Sequence, residues 1–96
     1  MSEVREGVDR LDEEIVALLG ERFRYMDAAA RIKPRRDMVR DEARKAEVIG
    51  NAKANAMAEG VPPDLVEAMW ELLVERSIAH ELDRFDLNRD GFAELP

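Results

Sequence analysis

VREGVDRLDEEIVALLGERFRYMDAAARIK, residues 4–33, decides how this chain folds. Val4, Val8, Leu11, Ile15 and Leu18 recur every three or four residues, and the register continues through Arg22, Tyr25 or Met26, Ala29 and Lys33. That spacing is the period of one helix face. The face begins apolar and ends in two cations. Arg22 and Lys33 therefore point toward the core that Leu11 and Ile15 build. A buried cation without a partner is costly, and a guanidinium does not escape by losing its proton. Either an acid meets these groups inside, or they wait for an anionic ligand.

Three helices follow from the rest of the pattern. The first spans about 4–33, with Glu3, Glu6 and Asp9 suiting the positive end of a helix dipole. Pro34 ends it, because the residue before a proline is pushed out of the α region. Pro34-Arg35-Arg36-Asp37 reads as a loop and 38–58 as a second helix with a thin face of Val39, Ala43, Ala46 and Ile49. Gly60 suits a C-terminal cap, and Pro63 a helix start. The third helix covers about 63–85, with a wide face of Leu65, Val66, Met69, Trp70, Leu72 and Leu73. Residues 86–96 read as a C-terminal tail after a helical domain over 1–85. Asp86, Asn88, Asp90 and Gly91 match only the first half of a calcium loop, too little to expect an ion.

A 30-residue helix is about 45 Å long, whereas a compact chain of this size has a radius of gyration near 13 Å. Much of such a rod stays exposed in a single chain. An all-α homodimer with intertwined long helices is the expected remedy.

The bulk numbers narrow the function. The 96 residues make one domain, and a net charge of −7 disfavours nucleic acid as a partner. There is no cysteine for a disulfide or thiolate metal site. No apolar run approaches the roughly 20 residues of a membrane span, and the charged N-terminus does not read as a signal peptide. A cytoplasmic protein is the expectation.

The third helix repeats the oddity of the first. Its ridge Val66, Trp70, Leu73 runs on to Ser77 and then His80 or Glu81, while Asp41, Arg44 and Lys45 share a face of the second. Arg22 pairing with Glu81 or Asp41 in a structural salt bridge is one outcome. Against it, Arg5, Arg22, Lys33 and Arg44 outnumber those two acids, and a small dianion would fill the deficit. Bundle cores are common ligand sites.

These residues resemble the all-helical chorismate mutases. Residues 4–22 match the first-helix signature, with Arg5 near the start, LDxxIxxLLxxR over 11–22, and Lys33 eleven residues later. Val39-Arg40-Asp41-Glu42-Ala43-Arg44 is similar to the second-helix VRDxxRE, and Ser77 four residues before Glu81 matches the closing motif. The resemblance spans about residues 4–84. It implies an isomerase of aromatic amino acid biosynthesis that turns the dianion chorismate into prephenate, with no cofactor and no metal. It implies a homodimer in which Arg5 reaches one carboxylate in the partner's site, while Arg22 binds a carboxylate in its own chain. Lys33 and Arg44 would lie near the breaking bond, with Lys33 donating to the ether oxygen and Glu81 as second donor. Asp41 would contact the ring hydroxyl, and Ser77 would hold the ring end. Single-domain members can be weak alone and activated by a partner enzyme.

Two departures bear on the substrate. Many mutases have Glu after the second-helix Arg, where it bonds the ring hydroxyl; here Lys45 follows Arg44. The short connection from Lys33 to Arg44 resembles the related isochorismate-pyruvate lyases, which release pyruvate and salicylate. Glu81 donates a hydrogen bond only when protonated, which predicts activity falling as pH rises. A non-catalytic helical regulatory dimer is the alternative outside enzymology.

Overall fold

The computed structural model describes the backbone of residues 1–93 and the side chains of residues 1–89. It is all-helical among the described residues: α1 Ser2–Ile32, a 3-10 turn Arg36–Met38, α2 Glu42–Glu59 and α3 Pro63–Ala93. α1 and α2 each pack on α3 and make no close backbone approach to each other. The result is an open, elongated chain of 59 × 31 × 16 Å, with a radius of gyration of 16.9 Å.

Each boundary has a local cause. Lys33 caps α1 in an extended conformation, φ −63° and ψ 130°, as Pro34 demands. α2 starts at Glu42 rather than 38, because Asp41 is its N-cap and accepts from the Arg44 backbone N–H at 3.0 Å. Val39, expected on the second helix, instead lies buried in the connection. Gly60 ends α2 at φ 72°, a left-handed cap that a side chain would strain.

The reading of 86–96 as a tail is corrected. α3 continues through Ala93, eight residues beyond Phe85, while residues 94–96 lie outside the described part. Contacts to the end of α1 hold this extension in place. Arg89 donates to the carbonyls of Ala30 at 2.9 Å and Lys33 at 2.7 Å, and its guanidinium sits 3.6 Å from the centre of the Phe85 ring. Arg36 grips Asp86 with Nε and Nη2 at 2.9 and 3.3 Å.

The core is thin. Ala52, Ala56 and Val66 form its α2–α3 part, with Trp70 packed against them. Between α1 and α3, Asp27 bonds His80 at 2.6 Å, and the His80 ring meets Phe23 edge-on at 5.0 Å. The first half of α1 is open among the described residues: Val4, Val8, Leu11, Ile15 and Leu18 are all at least half exposed. Leu65, Met69 and Leu72 on α3 are equally open.

Candidate active site

Where the second half of α1, the start of α2 and the middle of α3 converge, they form a half-open cavity of about 470 Å³. Met26, Ala29, Met38, Val39, Val48, Val74 and Ile78 form its apolar walls. Its polar lining is Arg22, Lys33, Asp41, Arg44, Lys45, Ser77 and Glu81. Four of these are cations and two are carboxylates.

Arg22 projects from α1 toward α3, where Nη1 donates to Ser77 Oγ at 2.7 Å. Ser77 Oγ donates in turn to the Leu73 carbonyl at 2.7 Å, so its one donor is already used. One turn on, Glu81 Oε2 accepts from Lys33 Nζ at 2.9 Å. Ser77 and Glu81 are each only 4% exposed. The sequence left open whether the two inward cations meet an acid. Lys33 does. Arg22, among the described residues, meets a neutral hydroxyl.

Burial, and next the nearby charge of Arg44, hold the Arg22 guanidinium below its ordinary pKa. It remains charged at any working pH, because the guanidinium starts so high. The cavity thus contains a partly buried cation that, among the described residues, pairs with no carboxylate, the electrostatic condition for taking up an anion.

The other two cations are paired with carboxylates. Arg44 pairs with Glu47 one turn along α2. Lys45 Nζ meets Glu71 at 2.6 Å and Glu75 at 3.0 Å on α3. Glu75 also receives Arg40, at 2.8 and 3.1 Å. Those hydrogen bonds, Arg40 first and Lys45 second, pull the Glu75 carboxyl down to about 2.

Residues 4–82 match the family model described as chorismate mutase type II. The chain belongs to that family. It is also similar to an isochorismate pyruvate lyase of Pseudomonas aeruginosa, 28% identical over 82 residues, which cover 85% of this chain and 81% of the relative.

In this member of the family the fold brings together six of the seven residues singled out in the sequence. Arg22, Lys33, Asp41, Arg44, Ser77 and Glu81 all line the cavity. Arg5 does not: it lies exposed on the first turns of α1. Asp41 is engaged as the α2 cap, through which it orients the backbone at Arg44.

The contacts of Lys45 to Glu71 and Glu75 depend on how α2 crosses α3, which no spacing in the sequence states. Arg89, which reaches the end of α1, lies in the stretch that reads as a tail, although Ser77, Glu81, Phe85 and Arg89 are spaced by four along one ridge. That spacing was the available signal. Among the described residues no group of His, Asp and Glu is placed to hold a metal ion, and no helix is long and apolar enough to cross a membrane.

Proposed function

We propose that the cavity binds a chorismate-type dianion and that the chain rearranges chorismate to prephenate. The observation that carries this reading is Arg22, a partly buried cation at the cavity wall whose side-chain partner is the neutral Ser77 hydroxyl. An incoming carboxylate supplies the missing negative charge, and a guanidinium fork suits it. Lys33 and Glu81 then face the ether oxygen, and Arg44 adds positive charge beside the breaking bond.

The reaction is pericyclic and needs no nucleophile or proton relay. The site has two tasks: to hold a compact, chair-like conformer with the bond-forming carbons in reach, and to stabilise charge that grows on the ether oxygen as C–O stretches. Fixed cations and donors between apolar walls serve both. Lys33 offers the ammonium, and Glu81, once protonated, offers a hydroxyl.

The half-exposed apolar face of α1 supports a homodimer. In that assembly Arg5 of one copy would complete the other copy's site as the second carboxylate clamp. A protein partner that activates the dimer fits the same reading.

One observation favours a second reading. The residue after Arg44 on the wall is Lys45 and no carboxylate. A ring hydroxyl at that position would find no acceptor in residue 45, and a relative bears the name isochorismate pyruvate lyase. Isochorismate, cleaved to salicylate and pyruvate, is the alternative substrate.

Incubation with chorismate and with isochorismate, following prephenate and salicylate separately, distinguishes the two. Prephenate from the first supports the mutase reading, and salicylate from the second replaces it with the lyase. If neither forms and a dianionic transition-state analogue leaves Tm unchanged, the chain is a non-catalytic helical module.

A further inference from the structure

We infer that Arg89 is the positioning residue for Lys33, and that the last turns of α3 thereby belong to the working site. The inference rests on the reading of the cavity as a chorismate-type site in which Lys33 meets charge developing on the ligand. It begins with Pro34. In a continuing helix the Ala30 carbonyl accepts from the N–H of residue 34, but proline has none. The Lys33 carbonyl, at the cap, has likewise left the helical ladder. α1 therefore ends with carbonyls that its own backbone does not satisfy, and Ala30 is fully buried.

Arg89 supplies both donors. Nη1 reaches the Ala30 carbonyl at 2.9 Å, and Nη2 reaches the Lys33 carbonyl at 2.7 Å. A planar fork spans two carbonyls with one side chain, which an ammonium does less rigidly. Its positive charge also suits a helix C-terminus. The guanidinium is in turn stacked on the buried Phe85 ring.

Lys33 is thus held at both ends by one ridge of α3. Arg89 fixes its backbone, and Glu81, two turns earlier, holds its ammonium. When a ligand oxygen takes over the ammonium, the Arg89 contact is the one that still locates Lys33. Misplacement of about 1 Å costs a reacting group on the order of 100-fold in rate. Placing this cation is therefore a functional task as well as a structural one.

The test uses Arg89→Met, which keeps a stem over Phe85 and deletes both donors. Whichever substrate the full-length protein turns over, kcat is expected to fall about tenfold or more, while KM moves by less than about threefold. Arg89→Lys recovers part of the loss. In a Lys33→Gln background the same change leaves the residual rate within about twofold, because nothing remains to position. An unchanged kcat overturns the inference, as does an equal fractional loss in both backgrounds, which marks a merely structural cap. Should Arg89→Met not fold, Arg89→Lys carries the same comparison. If the wild type turns over neither substrate, the functional reading fails by itself. The 15N resonance of the Lys33 ammonium then decides: broadening in the Arg89 variant upholds positioning, and an unchanged resonance overturns it.

Discussion

Lys33 Nζ and Glu81 Oε2 stand 2.9 Å apart across the cavity, although 48 residues separate them in the chain. The ammonium side chain is 29% exposed and the carboxylate side 5% exposed, so the pair bridges the cavity interior and its mouth. A ligand that claims Lys33 has to displace Glu81 or accept a hydrogen bond from it. The pair therefore occupies the place where the proposed chemistry happens.

Glu81 accepts in this pair and donates only after taking up a proton. Glu81→Gln keeps the shape of the side chain and supplies an amide donor with no proton uptake. kcat is therefore expected to rise in that variant, and steady-state kinetics measure it. A lower kcat in Glu81→Gln sinks the idea.

Arg22 and Ser77 carry the anion-binding claim. Hydrogen bonds to charged groups contribute about 1.5–3 kcal/mol, so Arg22→Ala weakens binding of a dianionic analogue roughly 10- to 150-fold. Calorimetric titration measures it. Ser77→Ala leaves the guanidinium without its hydroxyl partner and weakens binding by about tenfold or less. Unaltered affinity in Arg22→Ala removes the basis of the proposal.

Asp41 offers a stability prediction independent of any substrate. Its Oδ1 accepts from the Arg44 N–H at the start of α2. Loss of an N-cap costs about 1 kcal/mol, or roughly 4–8 °C in Tm for a domain of this size. Asp41→Asn, also a good cap, retains most of it. If Asp41→Ala melts like the wild type, the cap contributes nothing.

Glu75 links stability to acid. Arg40 and Lys45 hold its carboxyl at about 2, against an ordinary value of 4.5. A depressed folded-state pKa means stability that is present above 4.5 and lost as pH falls from there toward 2. The group is exposed, so solvent screening keeps the effect modest. Denaturant midpoints across that window are expected to decline less steeply in Glu75→Gln. Identical slopes would falsify the linkage.

Leu11 and Ile15 test the assembly. Both are half exposed on the open half of α1. If a second copy covers them, Leu11→Glu with Ile15→Glu converts a dimer into a monomer in sedimentation velocity. A wild-type monomer at micromolar concentration contradicts the dimer directly.

Helices and their order were legible because their signals are local. Contacts at three and four residues leave a period in the sequence, and Pro34, Gly60 and Pro63 punctuate it. The second helix start was misplaced by four residues, because Asp41 caps it through a bond formed only once the turn exists. The end of the third was misplaced by eight, because charged residues from Asp86 to Arg89 looked solvated while their partners lie on α1 and the loop after it.

The sequence alone determined that two cations, Arg22 and Lys33, face inward from the first helix, since helical geometry sets direction from spacing. Only the tertiary structure decided what each one meets. The crossing of α1 over α3 sets Lys33 against Glu81, Arg22 against Ser77 and the end of α1 against Arg89. Those pairs span 48 to 59 residues, and no local period encodes them.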